Sequence, residues 1–239
     1  MRARILAVSL DLDDTLWPIA PAIDAAERAL DDWLRTHHPT VADAWSIPAL
    51  RVLREQVAQE HPHLAHDYGA QRRLTIARAF AHCRHGDEHV DAACEAYIAA
   101  RNRVECYADA VPALAALAAR GPLVSITNGN ADLARIGLGH HFAHRLSARE
   151  CGIAKPAPEI FLEACARLGL APSQVLHVGD DPELDVAGAR AAGLRTAWLN
   201  RTGEDWPHAE PPDLALRDLG ELVDWLARHD LEHAGGPAA

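Results

Sequence analysis

No apolar run in the 239 residues approaches the ~18 that a membrane span needs. The apolar stretch near the start is short and runs straight into Asp11, Leu12, Asp13 and Asp14. That excludes a secretory signal and leads us to expect a cytoplasmic protein. Positive charge is also scarce: 23 Lys and Arg face 34 Asp and Glu, a formal net charge of −11. Nucleic acid and anionic membranes need basic patches, so neither is expected as the main partner. An anionic substrate would need positive charge supplied locally. Five cysteines, an odd number with no CxxC, exclude a disulfide framework and read as reduced thiols without local support for cysteine catalysis. There is no internal repeat, and no strand signal between residues 17 and 103.

The hydrophobic fraction of 49% is ordinary, and the length suits one large or two modest domains. The chain's organising stretch is RILAVSLDLDDTLW. Residues 5–10, with Ser9 their only polar member, suit a strand buried on both faces of a parallel sheet, and ligands gather beyond the carboxyl ends of such strands. Three clustered carboxylates raise one another's pKa, and a divalent cation relieves that. Acidic oxygen ligands suit Mg²⁺.

Helical periodicity follows over 22–36, 47–60, 67–82 and 87–102. A block so long, placed directly after the acidic turn, predicts a separate helical domain over 17–105 that hangs over the carboxylates like a lid. From residue 109 the pattern alternates. Helices are expected over 111–120, 131–137, 158–168, 182–192 and 219–228, and strands over 123–127, 145–150, 174–178, 195–199 and 213–216. Alternation of this kind predicts an α/β core, a doubly wound parallel sheet, over 1–16 and 106–228. The tail, 229–239, is expected to fray.

Two histidine clusters, His61/His63/His66 and His140/His141/His144, have the residue type for a transition metal. Asp67 apart, neither has Cys or carboxylate ligands at an interpretable spacing, so solvated surface histidines are expected. More telling are the polar endings of the strands. Residues 11–15 read DLDDT, 127–130 TNGN and 179–181 GDD, and the loop at 152–156 reads GIAKP. Each alone is usually a turn. In a doubly wound sheet all carboxyl ends face one way, so Asp11, Asp13, Thr127, Asn128, Lys155 and Asp180 are expected to converge.

These four segments, SLDLDDT, SITNGN, GIAKPAPEIF and HVGDDPELD, resemble the motifs of the haloacid dehalogenase-like (HAD) superfamily of phosphohydrolases. The helical block resembles its C1-type cap. The resemblance spans about residues 4–199. It implies a nucleophile at Asp11 that forms an aspartyl-phosphate, and a general acid/base at Asp13, a residue that the dehalogenases lack. It implies Mg²⁺ held by Asp11, the Asp13 carbonyl and Asp180. It also implies phosphoryl contacts from the Thr127 hydroxyl and the Asn128 N–H, and a charge-neutralising Lys155. Asp185 is expected either to orient Lys155 or a metal-bound water, or to be a solvated helix acid; Asp14 is expected to be structural. Narrower stretches, including LDLDDTLW and PLVSITNGNADLARIGLGHHF, resemble bacterial phosphatases of flavin mononucleotide (FMN) and 5-amino-6-(5-phospho-D-ribitylamino)uracil. Trp17, Trp33, Trp45, Tyr68, Arg72 and Arg73 are the cap's candidate substrate contacts, with cap core as the alternative for the tryptophans. The expected partner is a small phosphate monoester, and the expected assembly a monomer or homodimer. Phosphoglycolate phosphatase, nucleotidase, β-phosphoglucomutase-like phosphotransferase and a non-catalytic binding module are the competing readings.

Overall fold

A computed structural model of the chain describes residues 4–234. Six strands form one sheet in the order β3-β2-β1-β4-β5-β6, with every neighbouring pair parallel. They are β1 (Ala7–Leu10), β2 (Leu123–Thr127), β3 (His144–Ser147), β4 (Val175–Gly179), β5 (Arg195–Leu199) and β6 (Leu214–Leu216). The first strand sits in the middle because β2 and β4 flank it on either side. All four residues of β1 are buried, as are all five of β2 and of β4. That two-sided burial explains why these strands are mostly apolar rather than alternating, with Ser9, Ser125, Thr127 and His177 as their buried polar members.

The chain divides into two compact units. One comprises residues 1–17, 105–128 and 137–239 and contains the sheet. The other comprises 18–104 and 129–136. The second unit is helical: α1 (Ile19–His37), α2 (Pro39–Ala44), α3 (Ile47–Glu60), α4 (Tyr68–His82) and α5 (Val90–Arg101), joined by α7 (Leu133–Ile136). Ala22, Ala26, Leu30 and Leu34 of α1 recur every four residues and are all buried, the stripe of an amphipathic helix. Ala26, Leu30 and Leu34 pack with Leu50, Leu53, Ile76, Phe80 and Tyr97 in this unit's own core. Side chains start two of its helices: the Ser46 Oγ accepts from the Ala49 N–H of α3, and the Asp67 Oδ1 from the Ala70 N–H of α4. The sheet unit adds α6 (Ala110–Arg120), α8 (Ala148–Cys151), α9 (Pro158–Leu168), α10 (Gly188–Ala191) and α11 (Leu219–Ala234).

Four sequence expectations need correction. Residues 145–150 are not one strand: β3 ends at Ser147, whose Oγ accepts from the Glu150 N–H and starts α8. Residues 182–192 are not a plain helix. A π-helical turn, Pro182–Ala187, precedes α10, and the Asp181 carbonyl accepts from both the Asp185 and the Val186 N–H. Helix α2, behind Pro39, went unread because Pro39 looks like a breaker when it is in fact a first-turn residue. Finally, α11 continues to Ala234, because no helix breaker occurs before Gly235; residues 235–239 lie outside the described residues.

The turn after β1 is tied down by one ion pair. Arg201 donates through two nitrogens to Asp109, at 3.0 and 2.9 Å, and to the Thr15 carbonyl at 2.9 Å. The Leu219 N–H also donates to Asp109, at 2.8 Å. Burial opposes the charge on Asp109, but Arg201 and the Leu219 N–H prevail and hold its carboxyl below the usual value. Asp109→Ala is expected to cost about 2 kcal/mol. A lowered carboxylate stabilises the fold above its unfolded-state pKa and stops doing so as pH falls through the folded one. The Tm gap between wild type and Asp109→Ala should therefore be constant well above pH 3.8 and close below it. A gap independent of pH would contradict this.

Candidate active site

Asp11 follows the last residue of β1, and its N–H donates to the Val178 carbonyl of β4 at 2.9 Å. The main chain is therefore locked to the sheet at the point where the carboxylate emerges. Leu12, Leu16 and Trp17 are buried, which anchors the turn that carries Asp13 and Asp14. Asp14 adopts φ 57°, a conformation that L-residues other than Asn and Asp rarely take, and its N–H donates to the Trp17 carbonyl at 2.8 Å. Its structural assignment thus has a backbone reason. The tight turn returns Trp17 to Asp13: the indole Nε1 donates to the Asp13 Oδ1 at 2.8 Å.

Lys155 is the only lysine in the chain. Its ammonium is buried and donates to the Asp11 Oδ1 at 2.5 Å and to the Asp185 Oδ1 at 2.6 Å. Its main chain is clamped as well. The Asn128 Oδ1 accepts from the Lys155 N–H at 2.8 Å, and the Asn128 Nδ2 donates to the Lys155 carbonyl at 2.9 Å. The Asn128 side chain thus ties the end of β2 to the lysine loop, a role that the sequence reading missed. Thr127 is buried at the end of β2.

Asp180 follows β4. Its Oδ1 accepts from the Thr15 hydroxyl at 3.0 Å, and its carbonyl from the Trp198 indole at 2.8 Å. Asp185 is brought back beside it by the π-helical turn. Carboxylate oxygens of Asp11, Asp180 and Asp185 all lie within 4.8 Å of one another, the one such group of potential metal ligands found among the described residues. The solvated-helix alternative for Asp185 therefore fails: the side chain is buried and engaged.

The electrostatics follow from this crowding. Burial, with Asp185 and Asp180 adding to it and Lys155 opposing, pushes the Asp11 carboxyl well above the usual carboxylate range. Burial first and Asp185 second push Asp180 up to about 7, against the Thr15 hydrogen bond. Burial also acts on Asp185, but Lys155 and His177 overcome it and hold the carboxyl well below its usual value. Burial works against the Lys155 charge too, yet Asp11 and Asp185 raise its pKa further. The lysine keeps its proton and Asp185 keeps its charge.

Residues 5–193 match the haloacid dehalogenase-like hydrolases. The chain belongs to that family. It is 31% identical to the 5-amino-6-(5-phospho-D-ribitylamino)uracil phosphatase YigB of Escherichia coli, over 93% of this chain and 97% of that protein. It is 30% identical to the glyceraldehyde 3-phosphate phosphatase of Methanopyrus kandleri, over 92% and 96%. Among solved structures, a 2-haloacid dehalogenase of Pseudomonas syringae is 38% identical, with TM-score 0.88 over 94% of this chain and 99% of that one. The HAD fold expected from the sequence holds. So does the expected enzyme class, a HAD-type phosphatase. Among the described residues no helix is long and apolar enough to cross a membrane.

The remaining expected residues divide. Trp17 is fully buried in the sheet unit, holding Asp13 rather than offering a stacking face. Trp33 and Trp45 pack against the helical core. Arg73 pairs with the exposed Asp91, whereas Arg72 is buried over the Tyr97 ring at 4.1 Å. Tyr68 is exposed. Among the described residues, the group of potential metal ligands found is Asp11, Asp180 and Asp185, and it includes neither histidine cluster. Instead His61 meets Arg78, and the His140 and His141 rings lie 4.0 Å apart.

Proposed function

We propose that this HAD enzyme is a Mg²⁺-dependent phosphomonoesterase that works through an aspartyl-phosphate on Asp11. The observation that carries the reading is the buried Lys155 ammonium directed at the Asp11 carboxylate, at the carboxyl end of the central strand. A chain of net charge −11 thereby gains a local cation where an anionic substrate would meet the nucleophile.

The donor set fits a hard divalent cation. Its atoms are carboxylate oxygens; burial first, and the neighbouring carboxylates after it, push Asp11 and Asp180 upward in pKa, and a cation relieves that cost. Asp185 spends both oxygens elsewhere, Oδ1 on Lys155 and His177 and Oδ2 on the Asp181 N–H. Asp11 and Asp180 would therefore hold the ion, with the Asp13 carbonyl, and Asp185 would serve Lys155 instead. When bound, Mg²⁺ would neutralise charge on the phosphoryl oxygens.

The chain's own residues do the rest. Asp11 attacks phosphorus, splitting a slow displacement into two steps. Asp13 gives a proton to the leaving alkoxide and later takes one from the attacking water. The Thr127 hydroxyl and the Asn128 N–H hydrogen-bond the phosphoryl group. The Trp17 indole fixes the orientation of Asp13, so Trp17→Phe is expected to lower kcat about tenfold, a fraction of the ~10²–10⁴-fold that a general acid/base contributes. Steady-state kinetics would check this; an unchanged kcat would remove Trp17 from the proton-transfer apparatus.

We assign substrate choice to the helical unit as a cap, and a small phosphorylated metabolite such as FMN or 5-amino-6-(5-phospho-D-ribitylamino)uracil as the substrate class; the YigB likeness supports it. The test is a panel of phosphate monoesters with Mg²⁺, including FMN and phosphoglycolate, ranked by kcat/KM. Replacing residues 18–104 with a short linker should erase the ranking, whereas an unchanged ranking would take specificity away from the cap.

A second reading, 2-haloacid dehalogenase, is favoured by the 38% identity to the Pseudomonas syringae structure. Asp13, held by Trp17, supports the phosphatase. Chloride release from 2-chloropropionate without phosphatase activity would reverse the choice.

A further inference from the structure

Behind the proposed nucleophile, inside the sheet, lies a second polar chain that the reaction as described does not use. Ser9 of β1 and His177 of β4 are register partners in adjacent parallel strands, and both are buried. The Ser9 Oγ and the His177 Nδ1 are 2.9 Å apart, and the His177 Nε2 lies 3.0 Å from the Asp185 Oδ1. The edge of Phe161 closes the ring's remaining side, with centroids 4.9 Å apart. An ionised Asp185 only accepts, so the proton sits on the His177 Nε2, and the Nδ1 must accept from the Ser9 hydroxyl. Burial pushes the imidazole pKa down, which keeps the ring neutral in this single tautomer.

Gly179, two residues along β4 from His177, completes the seat. A Cβ there would lie 2.2 Å from the Asp185 carboxylate, so the missing side chain is the space that the carboxylate occupies. Asp185 is thereby held from three directions: Lys155 and His177 on Oδ1, and the Asp181 N–H on Oδ2. A serine and a histidine buried between strands of Val and Leu are costly to desolvate, and valine or isoleucine would fill the same layer more cheaply. Their one visible use is to fix the carboxylate that fixes the lysine.

We propose that His177, locked by Ser9, is a positioning residue that sets the direction of the Lys155 ammonium toward Asp11 through Asp185. The consequence for catalysis rests on the phosphatase reading above; the positioning itself does not. Removing the lock leaves the substrate-binding groups in place and loosens a charge needed at the transferring phosphoryl, so kcat should suffer more than KM.

The single lysine makes a direct test available, because protein labelled with ¹⁵N-lysine gives one Nζ resonance. Wild type, His177→Phe, His177→Gln and Ser9→Ala should be compared by that resonance and by kcat and KM. A Gln amide can still donate to Asp185, whereas Phe cannot. His177→Phe is expected to shift and broaden the Nζ signal and to lower kcat about 10²-fold with KM little changed. Gln should restore most of both, and Ser9→Ala should fall between. A merely structural histidine would lower Tm in Phe and Gln alike, with no recovery of kcat or of the Nζ signal in Gln. Should His177→Phe not fold, Ser9→Ala decides the matter, and an unchanged resonance with unchanged kcat there overturns the proposal. If wild type hydrolyses no phosphate monoester, the phosphatase reading fails while the Nζ resonance still tests the positioning.

Discussion

Asp11→Asn is expected to abolish turnover, by about 10⁴-fold or more in kcat, while the protein stays folded and becomes more stable. The activity loss follows because the amide is no nucleophile and cannot form the acyl-phosphate. The stability gain follows from the electrostatics of the site. Burial and the neighbouring Asp185 and Asp180 press the Asp11 pKa well above its ordinary value despite Lys155. A carboxyl raised by folding disfavours the folded state wherever the unfolded chain would ionise it, that is, at all pH values above the ordinary carboxylate pKa. An asparagine at residue 11 removes that charge and keeps an oxygen to accept from Lys155. Thermal unfolding in excess EDTA at neutral pH should show a higher Tm for Asp11→Asn than for wild type. A lower Tm would mean that the Asp11 charge stabilises the fold, and retained hydrolysis would end its assignment as nucleophile.

Lys155→Met should have the opposite effect on stability. It leaves two buried carboxylates, Asp11 and Asp185, without the ammonium that both accept from. Breaking a buried pair by removing one partner costs about 3–5 kcal/mol, because the partner stays buried and uncompensated. Here one cation serves two anions, so the upper end is expected. Activity should vanish as well, since no other lysine exists to substitute. The double variant Lys155→Met/Asp185→Asn separates the two effects. It should recover much of the lost Tm, because one orphaned charge is gone, and none of the activity. Recovery of activity in the double variant would show that Lys155 serves only to neutralise Asp185.

The strands that carry the site were readable because two-sided burial leaves a largely apolar run, and because each such run ends in a polar island, as at Leu10–Asp11 and Gly179–Asp180. Lys155 was readable for its company, within a loop before a helix. What stayed hidden depends on distance along the chain. Ser9 and His177 are 168 residues apart, and inside an apolar strand each reads as an isolated polar residue. The Asn128 side chain was missed because its two bonds go to the Lys155 main chain, and main-chain partners leave no trace in residue types. The π-helical turn at Pro182–Ala187 was read as an ordinary helix because composition carries no signal for one extra residue in a turn. Trp17 was placed among the cap aromatics on its type alone, although its spacing of four from Asp13 held the better clue.

The central position of β1 has a consequence for how the protein is made. Its two neighbours, β2 and β4, begin at Leu123 and Val175, long after the ribosome has finished Leu10. At ~5–20 residues per second, about 10–30 s separate the synthesis of β1 from that of its second partner. In that interval the helical unit, whose residues 18–104 are already contiguous, can complete most of its local contacts. The strand bearing the nucleophile has both edges open until β2 is made, and one edge open until β4 follows. It is the segment that a nascent-chain chaperone would be expected to shield, and the catalytic centre cannot assemble until Asp185 has been made.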